Sequence, residues 1–168
     1  MTDALALDGD AVISPCGLYR YWLERGPKSS PFVAWVLANP STADASMDDP
    51  TVRKARGFTQ RWGFERFVFV NVFAYRSTDP KGLIGVKDPV GPENERHIRE
   101  AVTRAEMVVV AWGNAIVKAK RPQAVWTCEH VIKPATVKPI MCLGYTADKS
   151  PRHPLMPGYN TPLEEYRP

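Results

Sequence analysis

Four polar segments hold the residue types best suited to chemistry, and each follows a short apolar run. The first, Asn39–Pro40–Ser41–Thr42–Ala43–Asp44, leads on to Asp48 and Asp49. Asn39 and Ser41 offer donors and acceptors, Asp44 offers a carboxylate, and Pro40 stiffens the chain. The same residue types are ordinary in turns. In the second, Asn71 interrupts the apolar run FVFVN and is followed by Arg76 and Asp79. A buried amide needs a partner, so Asn71 either satisfies nearby backbone or faces a ligand. Arg76 is suited to bidentate grip of a phosphate or carboxylate, or to pairing with Asp79. The third is Trp112–Gly113–Asn114. A glycine just past a strand lets backbone approach a ligand closely, and amides at a following helix start suit an anion. It reads equally as a tight turn beside a packed Trp. The fourth runs from Gly144 to Leu155 and contains Arg152–His153–Pro154. A histidine held between loop prolines suits hydrogen bonding to a developing oxyanion, or proton transfer. Its plain alternative is a surface His beside a basic neighbour.

His97 and His130 fall on amphipathic helical patterns and read as helix-surface residues. Three scattered histidines make no metal site, and no CxxC pair is present; neither metal nor cofactor is expected. Tyr19–Arg20–Tyr21–Trp22 is suited to base stacking but reads better as packing. Arg53, Lys54, Arg56 and Arg61 read as a solvated helix face that would touch a nucleic-acid backbone only if it borders the site.

The elements that position these loops follow from hydrophobic pattern. Phe32–Ala38, Phe67–Ala74, Met107–Trp112 and Pro139–Leu143 are continuous apolar runs rich in β-branched and aromatic residues. Continuous rather than alternating runs mark strands buried on both faces of a parallel sheet. Between them lie helical patterns. Asp48–Asp49–Pro50 reads as a cap with Pro at the first helical position, followed by Val52, Ala55, Phe58 and Trp62 at helical spacing and Gly63 as a stop. A second helix begins near Gly91–Pro92–Glu93, and a third spans about 121–132 with Val125, Cys128, Val131 and Ile132 inward. Strand–helix alternation predicts an α/β fold, a three-layer αβα sandwich around a central, mainly parallel four-stranded sheet. Leu18–Leu23 reads as an edge strand of a preceding hairpin, residues 1–13 as flexible, and 151–168 as an irregular Pro-rich tail. In such sheets ligands bind beyond the carboxyl ends of the strands, which selects the four loops above.

A length of 168 residues predicts one domain with a core that needs no staples. Lys plus Arg exceed Asp plus Glu by 22 to 18, a net +4. That permits an anionic partner, yet no dense basic run demands one. The 16 prolines are about twice average usage and belong at turns and helix starts. Three widely spaced cysteines fit reduced thiols in a cytoplasmic protein. The acidic N-terminus lacks a signal peptide's basic region, and no apolar run is long enough to span a membrane.

Taken together, LANPSTADASMDDPTVRK, FVNVFAYRSTDP, DPVGPENERHI, VVVAWGN and CLGYTADKSPRHPL resemble the bacterial and phage family called domain of unknown function 1643, over about Ser14 to Pro157. A more distant resemblance is to the uracil-DNA glycosylase superfamily. It rests on Asn39–Pro40 after the first strand, Asn71 in the second, Ala111–Trp112–Gly113 ending the third, and His153–Pro154–Leu155 late in the chain. This second resemblance implies a four-stranded parallel sheet between helices and hydrolysis of an N-glycosidic bond. By it, Asn39 would position water, Asn71 would read a base edge, and His153 would stabilise the base leaving as an anion. Asn39 lacks a carboxylate, so Asp44 or Asp48 would serve as base.

The expected site is therefore Asn39, Asp44 and His153 as catalytic residues, with Ser41, Asn71, Arg76, Asp79, Trp112, Gly113, Asn114 and Arg152 binding substrate. The expected partner is a nucleobase, nucleotide or nucleic acid. One alternative is a non-catalytic nucleic-acid- or nucleotide-binding module of a phage or mobile element. Another is a small-molecule enzyme in which Arg76 and Arg152 hold an anion.

Overall fold

A computed structural model describes residues 9–41, 43–114, 116 and 120–168. Strands β1 (Gly9–Ile13), β2 (Arg20–Arg25), β3 (Phe32–Leu37), β4 (Arg66–Asn71), β5 (Met107–Val110), β6 (Ile140–Cys142) and β7 (Glu164–Glu165) form one sheet in the order β1-β2-β4-β3-β5-β6-β7. β3 runs parallel to β4 and β5, and β5 parallel to β6. The β1–β2, β2–β4 and β6–β7 pairs are antiparallel.

The α/β class holds, but the sheet is seven-stranded and mixed, where the apolar runs predict four strands. The additional strands carry no continuous apolar run. β2 reads Arg-Tyr-Trp-Leu-Glu-Arg and β7 is two glutamates. β2 is also no edge strand, since it lies between β1 and β4. Of the N-terminal stretch expected to be flexible, residues 9–13 form β1 and residues 1–8 lie outside the described residues.

The chain enters the parallel region at β3 and reaches β4 through helix α1 (Pro50–Arg61). It then passes back across β3 to β5 through α2 (Asn94–Arg104). It goes on to β6 through α3 (Arg121–Thr127) and a π-helical turn over Cys128–Ile132. Right-handed crossovers made in opposite directions place their helices on opposite faces. Val33, Trp35, Phe67, Phe69 and Val109 accordingly pack with Val52, Ala55 and Phe58 of α1. Their strand neighbours Ala34, Val36, Val68, Val70, Val108 and Val110 pack with Ile98, Ala101 and Val102 of α2 and with Cys128, Val131 and Ile132. Successive side chains thus feed two cores, which is why the runs lack alternation.

α1 starts as its sequence predicts. Asp49 is the N-cap, its carboxylate accepting from the Val52 amide at 2.9 Å, and Pro50 is the first helical residue. Gly63, at φ +85°, ends it. Val125 departs from expectation by lying exposed beside Trp126. The inward stripe is Ala124, Thr127, Cys128, Val131 and Ile132, following the π-helical turn.

Charged residues of β2 are buried. The Arg66 guanidinium meets the Glu24 carboxylate at 2.5 Å with both side chains 7% exposed, donates to the carbonyls of Lys28 and Ser30, and lies over the Phe32 ring. All three cysteines are free. No helix among the described residues is long and apolar enough to cross a membrane.

His97 is buried, not on the helix surface, and stacks on Tyr21 with ring centroids 5.1 Å apart. Burial, with the nearby Arg96 charge, holds its imidazole below the ordinary value of 6.5. The unfolded chain then binds this proton more readily, so stability falls as pH drops through 6.5. Urea midpoints are expected to decline between about pH 7 and pH 5, the range around an ordinary histidine pKa. His97→Phe, which keeps the ring stack, is expected to flatten part of that decline. An unchanged pH profile would remove His97 from the account.

Candidate functional site

The order of the parallel strands reverses at β3, so the crevice between the carboxyl ends of β3 and β5 is the expected place for a ligand. A cavity of about 150 Å³ opens there. An apolar cavity of about 150 Å³ is known to hold benzene, so a six-membered ring fits such a space. Its wall takes Leu37, Ala38, Asn39 and Ser41 from the end of β3 and Phe69 from β4. Ser77 and Thr78 come from the following loop, and Asp49 and Thr51 from the start of α1. Arg20, Trp112 and His153 complete it.

Two sets of bonds hold these loops. The Asn39 Nδ2 amide donates to the Ser77 carbonyl at 2.8 Å and to that of Pro40 at 3.2 Å, while the Ser77 amide donates to the Pro40 carbonyl. Its nitrogen being engaged there, Asn39 has its carbonyl oxygen left as an acceptor. The second set comes from β2. Arg20 donates to the Ala43 carbonyl at 2.5 Å. Arg25 donates to the Asp44 and Met47 carbonyls and pairs with Asp48 at 2.8 Å, and Asp48 in turn pairs with Arg56 at 2.7 Å.

These bonds fix Asp49 at the cavity wall. One carboxylate oxygen caps α1, and the other accepts the Ser41 hydroxyl at 2.6 Å. His153 lines the same cavity. Its Nδ1 accepts from the Leu155 amide at 3.2 Å, which places the proton of the neutral ring on Nε2. Burial depresses the imidazole's basicity and the Asp49 charge opposes that only in part, so His153 sits below the usual histidine range. At pH 7 it is a neutral donor. Gly113 makes this position possible. It lies at φ +68°, donates its amide to the Pro151 carbonyl, and a Cβ there would meet the His153 Cβ at 2.9 Å. Arg20 is 2% exposed. Burial lowers its guanidinium to about 10 despite Asp49. Its Nε has no hydrogen-bond partner among the described residues.

Of the residues expected from sequence, Asn39, Ser41, Trp112 and His153 share the cavity, and Gly113 shapes it. The rest lie outside its wall. Asp44 Oδ1 accepts from the Ser46 amide and hydroxyl and from the Met47 amide, closing a turn. Asp79 caps the 3₁₀ turn Pro80–Leu83. Arg76 reaches toward the Gly17 carbonyl and Arg152 bonds that of Tyr145. Asn114 is exposed. Asn71 is buried opposite Leu37 in the ladder, and neither atom of its amide has a partner among the described residues. The sequence reading missed Arg20 and Phe69 as site residues, and it took Asp49 for a cap alone. Among the described residues, no group of three or more His, Cys, Asp or Glu could hold a metal ion. The basic face of α1 is partly engaged, with Lys54 and Arg61 over the Tyr159 ring and Arg56 on Asp48.

A mixed sheet between helices, with a polar-lined cavity at its switch point, defines an α/β protein. The chain belongs to the family described as protein of unknown function (DUF1643), whose model matches residues 20–155. No curated protein and no solved structure gives a significant match.

Proposed function

We propose that this cavity binds a nucleobase-sized ring, free or within nucleic acid, and hydrolyses its N-glycosidic bond. The observation that carries the reading is His153, whose Nδ1 accepts from the Leu155 amide and so leaves Nε2 as its donor, in one cavity with the Asp49–Ser41 pair and Asn39. Phe69 and Trp112 supply aromatic wall for a planar ring. In the step itself, a water held by the Asn39 carbonyl oxygen attacks the anomeric carbon and gives up its proton to Asp49. The carbon–nitrogen bond breaks with its electron pair passing to the base. His153 Nε2–H stabilises that base as it leaves as an anion, and the proton on Asp49 later neutralises it. Asp49 takes the part that the sequence assigned to Asp44 or Asp48, because Asp49 lines the cavity.

The test is base release from free nucleosides and from oligonucleotides carrying uracil or other modified bases. Release is expected from at least one substrate, with His153→Ala lowering its rate about 10²–10³-fold, as for loss of one oxyanion donor. No release from any substrate overturns the proposal, as does a His153→Ala variant of full activity.

A further inference from the structure

We infer that the cavity receives an oxyanion, the carboxylate or phosphate group of a small substrate, on Arg20 and the N-terminal end of α1. The inference deepens the preceding reading by naming a charged group on its substrate. It is measured by binding without turnover, so the two can fail separately.

Arg25 is matched by Asp48, which also takes Arg56. Asp49 is hydrogen-bonded by the Ser41 hydroxyl and the Val52 amide, neutral groups that leave its charge in place. Arg20 is the charge left over. Among the described residues it makes no ion pair, its one side-chain bond goes to the neutral Ala43 carbonyl, and its Nε–H is buried and unpartnered. Burying a cation without a directly paired counter-charge is unfavourable, and an incoming anion relieves it. Burial outweighs the attraction of Asp49, the strongest charge acting on this guanidinium, and Arg76 and Arg25 add to the cost while Asp44 eases it.

α1 supplies the second feature. It is a 12-residue helix whose positive end opens on the cavity at Asp49 and Thr51. Pro50 has no N–H and the Val52 N–H serves Asp49. The Thr51 amide, at the second helical position, has no intrahelical partner. Thr51, Thr78 and His153 lie in the same wall, and Asp49 supplies its carboxylate among the described residues. A buried arginine, a helix N-terminus and hydroxyl donors are together the chemistry of oxyanion recognition. Arg76 and Arg152, the sequence's candidates for holding an anion, lie outside this wall.

The experiment is titration calorimetry of the full chain at low ionic strength with two probes, inorganic phosphate and benzoate. Binding of phosphate alone assigns a phosphate group to the substrate, and binding of benzoate alone assigns a carboxylate on a ring. Arg20→Gln is expected to weaken the binding at least tenfold. Asp49→Asn keeps a capping residue and removes the competing charge, so it is expected to tighten the same probe several-fold. If Arg20→Gln fails to fold, the Asp49→Asn arm decides alone. The inference is overturned if neither probe binds, if folded Arg20→Gln binds as well as the parent, or if Asp49→Asn leaves affinity unchanged or lower.

Discussion

Glu24→Ala is expected to remove about 3–5 kcal/mol of folding stability, the range for deleting one partner of a buried ion pair. Both side chains of the Glu24–Arg66 pair are almost wholly withdrawn from water. Once the carboxylate is gone, the Arg66 guanidinium keeps only the Lys28 and Ser30 carbonyls and the Phe32 ring. Those partners satisfy donors but do not neutralise a charge. The measurement is urea unfolding, read as a shift in midpoint at constant slope. A loss below about 1 kcal/mol, the range of exposed pairs, would mean that water reaches the pair. Replacing Glu24 and Arg66 together by apolar residues of similar volume is expected to be less harmful than Glu24→Ala, because no lone charge is left behind.

Gly113→Ala is expected to damage stability and the proposed base release together. The backbone at φ +68° costs an L residue about 1–2 kcal/mol. The new Cβ would also stand 2.9 Å from the His153 Cβ and 3.5 Å from its backbone nitrogen. The Cβ position is set by the backbone and no rotamer change can clear it, so His153 must move. A displacement of about 1 Å at a reacting group can lower a rate about 10²-fold. Gly63→Ala separates the two effects. Gly63 shares the positive φ, at +85°, but nothing lies within 4 Å of its Cβ direction. Gly63→Ala should therefore lose a similar amount of stability and no base release. Equal loss of release in both variants would show that His153 placement is irrelevant.

The parallel strands were legible because Val, Phe and Trp must fill two cores at once, leaving an unbroken apolar run. β2 was not, since it buries charges whose partners lie elsewhere in the chain. Glu24 needs Arg66, 42 residues away, before its place in a sheet makes sense. The candidate site divides in the same way. His153 stands out locally, between Arg152 and Pro154 in a polar loop. Asn39 and Trp112 follow directly from being at strand ends. The choice between Asp44 and Asp49 could not be read, because both sit in one polar loop. Which one faces the cavity depends on Arg20 and Arg25 gripping the carbonyls of Ala43, Asp44 and Met47 from another strand. Arg20 itself was hidden among tyrosines and a tryptophan, where the pattern suggested packing. Asn71 was visible as an odd residue in an apolar strand, but its position beside the cavity rather than in its wall is a matter of three dimensions.

Asp49 both starts a helix and lines the cavity. Two separate demands therefore act on one position, and few residues meet both. Asn, Ser and Thr can begin the helix nearly as well as Asp, yet they are neutral. A lineage drifting at this position keeps its fold while changing the cavity's charge by one unit. Relatives that share this architecture can thus diverge in the ligands they favour through a single replacement, with no wider rebuilding of the scaffold.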